Sequence, residues 1–327
     1  MSAVQALDPV YLNASLAPLL PILARDDVTD IYINRPGELW AESLGGSIEH
    51  HKTPGLTSTV LLRLARQVAA LSHQGISREH PLLSAILPGG ERVQIVVPPA
   101  TRGDIAIAIR KHVVQELSLD DYTASGAFAG LIGGARPDAA NAKLHELLGK
   151  GDIGGLLKAS VLGRRNILIS GGTSTGKTTF LNALLREVPR HERLLFIEDT
   201  PELQIRHANA VGLLAARSEL GEAKVTANDL VAASLRMRPD RIILGELRGD
   251  EAFAFLRAVN TGHPGSMTTV HADSTERAIE QIALLVLQAG TRLNRDDIVH
   301  YVRSTIDVFV QLGRHEGTRR VEEVRLR

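Results

Sequence analysis

The alternation of apolar and polar positions divides the chain into two textures. Residues 28–34 alternate and stop at the turn Arg35-Pro36-Gly37, which predicts a strand. A second strand is expected over 38–42. Residues 57–72 place Leu61, Leu62, Leu64, Ala65, Val68 and Leu71 at helical spacing behind a Thr/Ser start, so a helix is predicted there. Residues 92–97 and 105–111 read as two more strands, split by Pro98-Pro99 and Gly103. Mixed strands around a helix predict a smaller α+β domain over residues 1–112.

Residues 113–140 are rich in Gly, Ala, Ser, Asp and Pro and are the expected linker. From 141 to 327 helical segments alternate with continuous apolar runs at 166–170, 193–198 and 241–246. Runs of that length suit strands buried on both faces of a parallel sheet, so the second domain is expected to be α/β.

Composition narrows the classes. The 327 residues contain 37 acidic and 37 basic side chains, so no bulk positive charge argues for nucleic-acid binding. The absence of Cys excludes disulfides, Cys-based zinc sites and thiol catalysis. The first residues have no basic start and no sustained apolar run, so no signal peptide is expected. No stretch approaches the ~20 apolar residues of a membrane-spanning helix.

The strongest chemical signal is Gly171-Gly172-Thr173-Ser174-Thr175-Gly176-Lys177-Thr178, followed by Thr179. It fits G-x-x-x-x-G-K-[ST], in which glycines let successive N–H groups turn toward phosphate oxygens. A chance match occurs in about one chain in a hundred of this length, and a buried strand before it and a helix after it lower that further. Lys177 is expected to reach the β- and γ-phosphates of ATP and the Thr178 hydroxyl to ligate Mg²⁺. The helix N-terminus adds its partial positive charge.

Phosphoryl transfer also needs acids, and ligands of open α/β sheets bind beyond the carboxyl ends of strands. Two apolar runs end there in Glu198-Asp199 and Gly245-Glu246. Glu198 is the first choice for orienting or deprotonating water, and Glu246 is expected to act on Mg²⁺ through water. His271 lies in a segment dense in small and polar residues and is a candidate contact for the γ-phosphate.

Together these blocks resemble the VirB11 family of type IV secretion ATPases, within the wider traffic ATPases. The resemblance rests on the Walker A loop, the Asp box at 196–203, the Walker B segment at 235–249 and the His box at 262–274, in the family's order. It implies a RecA-like P-loop domain. It also implies that arginines on two N-terminal strands approach the nucleotide phosphates, a role that falls on Arg92 and Arg110, with Arg102 as a third candidate. A homo-hexameric ring with domains in stacked tiers is further implied, at the cytoplasmic face of a bacterial inner membrane. Its partners would be the inner-membrane channel and other ATPases of the secretion system, with a secreted protein or nucleoprotein as indirect substrate.

A GTPase would carry Asn-Lys-x-Asp, and the sequence has none. A small-molecule kinase would not need two acidic strand ends and a His box. A non-catalytic scaffold is disfavoured by the intact Lys177, Thr178, Glu198 and Glu246. A DNA translocase is disfavoured by the neutral charge. Motors of type IV pili and of conjugative transfer are the nearest alternatives, and the lack of Cys removes the subtype with a Cys-rich metal element.

Overall fold

The computed structural model of the chain describes residues 9–113, 118–129, 139–216 and 221–327. Of the expected linker, residues 114–117 and 130–138 lie outside the described residues.

The first half opens with α1 (Pro9–Leu16) and α2 (Leu20–Leu23). It continues through β1 (Val28–Ile33), β2 (Glu38–Ser43), β3 (Ile48–Lys52), α3 (Ser58–Leu71), β4 (Leu82–Ile86), β5 (Arg92–Val96) and β6 (Ala106–Arg110). The strands form one antiparallel sheet in the order β3-β2-β1-β6-β5-β4. Thr57 caps α3 by accepting the Val60 N–H, and the helix buries Leu61, Leu64, Ala65, Val68 and Ala69.

The period-two side-chain alternation explains why β1 and β6 are apolar on both faces. Ile31, Ile33, Ile107 and Ile109 pack with α3 in one core. Tyr32, Ala106 and Ala108 face the other way, into a core shared with Leu195, Ile197, Val211 and Leu213 of the second half. The small domain is therefore docked through a sheet face.

The second half contains α4 (Leu119–Ala124), α5 (Ala139–Gly149), α6 (Ile153–Leu162), β7 (Ile167–Gly171), α7 (Lys177–Leu185), β8 (Leu194–Glu198), β9 (Ala210–Leu214) and α8 (Ala227–Ser234). After these come β10 (Arg241–Leu244), α9 (Glu251–Asn260), β11 (Met267–Val270), α10 (Thr275–Gln288), α11 (Arg295–Thr305), β12 (Val308–His315) and β13 (Thr318–Leu326). Its sheet runs β13-β12-β7-β11-β10-β8-β9, parallel except for the β12–β13 hairpin. The expected class, an α/β P-loop domain behind a smaller α+β domain, is what the chain adopts. Within the expected linker, α4 is a short helix with a Ser118/Asp121 capping box.

Several contacts fix the domains to each other, among them one along β9 and one at the start of β8. Residues 100–102 run along the edge strand β9: the Leu214 N–H donates to the Ala100 carbonyl at 2.9 Å and the Arg102 N–H to the Gly212 carbonyl at 2.9 Å. A side chain at Gly212 would meet Arg102 at 2.5 Å, so only glycine admits this approach. Nearer the amino end of β8, the fully buried Arg193 sits 4.0 Å over the Tyr32 ring. It donates to Asn34 Oδ1 at 2.7 Å and to the Met237 carbonyl at 3.0 Å.

Candidate nucleotide site

The phosphate loop joins β7 to α7 at the carboxyl end of an inner strand of the sheet. Ser174 at φ 62° and Gly176 at φ 91° give the left-handed turns that curl its backbone. A cavity of about 460 Å³ lies above it, lined by residues 172–179 together with Glu198, Asp199, Glu202, Glu246, Arg248, His271 and Arg319.

Lys177, the first residue of α7, folds back over the loop and donates to the carbonyls of Gly171 at 3.0 Å and Gly172 at 3.3 Å. Its ammonium lies 3.3 Å from His271 Nδ1 and 3.6 Å from Glu246 Oε1. Burial lowers the Lys177 pKa below the ordinary lysine value, and the Glu246 carboxylate only partly offsets it. The site thus holds a half-desolvated cation that an arriving phosphate would satisfy.

Glu246 follows β10 by two residues and is the acid that meets Lys177. Its other contacts are His271 Nε2 at 3.1 Å and Arg248 Nε at 2.5 Å. Arg248 also donates to Asp199 Oδ2 at 2.6 Å, tying the ends of β8 and β10 together. Thr178 Oγ1 donates to Glu202 Oε2 at 3.0 Å.

Glu198, the last residue of β8, is placed differently. Its side chain is 3% exposed and paired with the Arg102 guanidinium. Oε1 accepts the N–H groups of Glu202 at 2.9 Å and Leu203 at 2.8 Å. In this arrangement the carboxylate holds the 199–203 turn and the neighbouring domain.

The structure brings together Gly172, Thr173, Ser174, Thr175, Gly176, Lys177, Thr178, Thr179, Glu198, Glu246 and His271 around one cavity, with Gly171 just behind it at the end of β7. It does not bring Arg92 and Arg110 there. These face each other across β5 and β6 and line a separate cavity of about 430 Å³ with Arg236 and Arg238. The N-terminal arginine beside the acids is Arg102, the weaker candidate. Sequence reasoning did not single out Glu202, Arg248 or Arg319. The first two stand inside the Asp-box and Walker B segments already identified, whereas Arg319 carries no local motif.

A family model described as "Type II/IV secretion system protein" matches residues 150–315. The VirB11 protein of Bartonella henselae is 40% identical over 326 residues, covering 94% of this chain and 91% of its own length. The type IV secretion protein PtlH of Bordetella pertussis is 39% identical over 315 residues, covering 92% and 90%. The chain belongs to the VirB11 family. The crystal structure of the Brucella suis VirB11 ATPase in complex with sulphate superposes with a TM-score of 0.90 at 38% identity, over 97% of this chain and 98% of that one. This VirB11-family chain binds nucleotide and is an ATPase. No helix among the described residues is long and apolar enough to cross a membrane.

Proposed function

We propose that the chain works as a homo-hexameric ATP-driven motor of a type IV secretion system, peripheral to the cytoplasmic face of a bacterial inner membrane. It would engage the inner-membrane channel and the system's other ATPases, and through them a protein or nucleoprotein substrate. Within the site, Lys177 binds the β- and γ-phosphates, His271 donates to the terminal phosphate, and Glu246 positions water and metal. Glu198, the first choice from sequence, fits better as the acid that couples the small domain to the site through Arg102.

The oxygen donors suit Mg²⁺, which takes one or two carboxylates together with phosphate oxygens and water. Thr178 and Glu246 would hold it, and the contact of Thr178 with Glu202 puts a further carboxylate beside that hydroxyl. The ion would supply charge neutralisation between the phosphates.

The observation that supports a ring is the position of Arg92 and Arg110. Two guanidiniums directly opposite on paired strands repel, and Arg236 adds to them while Arg238 is paired with Glu42 at 2.9 Å, so an anion suits the cavity. It shares no lining residue with the chain's own phosphate cavity. A neighbouring subunit's nucleotide meets that requirement. Mixing Lys177→Ala subunits with Arg92→Ala subunits tests this reading. The ring account expects the mixture to recover turnover that neither variant shows alone. Activity no greater than the average of the two would sink it.

A further inference from the structure

His271 stands where the support of its strand runs out. The β11 ladder ends one residue earlier, at the pairing of Val270 with Ser170 of β7. The imidazole side chain is 51% exposed, and its partners are Lys177 at 3.3 Å and Glu246 at 3.1 Å. Lys177 turns to an arriving phosphate, so the ring needs a support outside the site.

The terminal hairpin supplies one. Gln311 of β12 lies in register with Ser170 of β7 on one side and with Glu323 of β13 on the other. It is 4% exposed, and its amide reaches across the end of β7. Oε1 accepts the Ser170 hydroxyl at 2.5 Å, while Nε2 donates to the carbonyls of Ala272 at 3.2 Å and Leu312 at 3.1 Å. A reversed amide would set Oε1 against two carbonyls with no proton between them, so the orientation is fixed. Opposite residues of an antiparallel pair share a face. From that face Glu323 accepts the Thr275 N–H at 3.3 Å and the Thr275 hydroxyl at 2.7 Å. One rung of the hairpin therefore holds the chain at 272 and at 275, the first residue of α10.

We propose that Gln311 and Glu323 are the positioning residues of His271 and keep its ring over the phosphate loop; this rests on the reading of His271 as the contact of the terminal phosphate. Neither side chain lines the phosphate cavity, so both act through the backbone. With β11 paired before His271 and Ala272 tied to β12 after it, the side-chain torsions are the main freedom left to the ring. Loss of the rung frees the segment after His271, and a displacement of about 1 Å at a reacting group costs up to roughly 100-fold in rate.

Single-turnover ATP hydrolysis and ADP titration of the full chain provide the test. The variants are Gln311→Leu, Glu323→Ala, His271→Ala, and each hairpin substitution combined with His271→Ala. Each hairpin variant is expected to lower the rate about tenfold or more, while ADP, which lacks the terminal phosphate, binds within about twofold of the unaltered chain. In the His271→Ala background the same substitutions should change the rate by less than about twofold, because the ring they position is already gone. Equal losses in both backgrounds would overturn the proposal, as would an unchanged rate in both single variants or an ADP affinity that falls with the rate. Gln311→Leu leaves buried polar groups short of a partner. Should it not fold, Glu323→Ala decides through the same cycle, because that side chain is exposed. An unaltered rate in His271→Ala would instead remove the terminal-phosphate reading of that residue, and the proposal with it.

Discussion

Arg102 of the small domain is ion-paired with Glu198 at the carboxyl end of β8, and its Nη1 also donates to the Leu203 carbonyl at 2.7 Å. One guanidinium therefore spans the two domains and the Asp box. Removing it strands a carboxylate whose side chain is 3% exposed, with only two backbone N–H partners. We expect Arg102→Ala to destabilise the chain by about 2–3 kcal/mol. Arg102→Lys should not restore this, because an ammonium lacks the fork that serves both acceptors. Denaturant unfolding provides the check; a loss below about 0.5 kcal/mol for Arg102→Ala would contradict the pairing.

Glu246 and Glu198 should separate in kinetics. Glu246 meets Lys177, His271 and Arg248 beside the phosphates. Glu246→Gln is expected to lower kcat by about 100-fold or more while ADP still binds. Glu198→Gln should lower kcat together with the melting temperature, because it weakens the link to Arg102. A Glu198→Gln variant with normal melting and the larger kcat loss would reverse the assignment.

Much of this site was legible because its parts are local. The loop at 171–178 and the apolar runs that became β7, β8 and β10 each declare themselves within a few residues. What stayed hidden is set by distant contacts. β11 is fully buried, yet it carries Thr268 and Thr269, which disguise it; Thr269 Oγ1 satisfies itself on the Gly245 carbonyl at 2.8 Å. β3 and β13 are edge strands rich in charge, Ile-Glu-His-His-Lys and Thr-Arg-Arg-Val-Glu-Glu-Val-Arg-Leu, and nothing in them says which strand they pair with. Arg102 and Arg319 reach the site only because the 100–102 segment lies along β9 and the terminal hairpin lies beside β7. Their neighbours in sequence give no sign of either placement.

The Arg193 latch gives a second stability prediction. The side chain is fully buried between Tyr32, Asn34 and Met237, and burial pulls its pKa down from the ordinary arginine value. Arg193→Met keeps the volume but leaves the Met237 carbonyl and Asn34 Oδ1 without their donor. A loss of about 3 kcal/mol in denaturant unfolding is expected. A variant as stable as the original would show that the latch contributes nothing.

Proton linkage offers a test of Lys177 that needs no turnover. Burial lowers its pKa from the ordinary 10.5 in the free chain, and a bound phosphate raises it again. The free lysine therefore loses its proton at a lower pH than the phosphate-bound lysine, and in the alkaline window between them ADP binding takes up a proton. Titration in two buffers of different ionisation enthalpy should show uptake that grows as pH rises into this window and is absent in Lys177→Ala. Uptake that persists in the variant would assign the proton to another group.

Steady-state release of phosphate from ATP by the unaltered chain and by Lys177→Ala tests the central claim most directly. The account predicts sustained release by the first and a fall of about 100-fold or more in the second, with the variant still folded by its melting transition. Equal release from both proteins would contradict it.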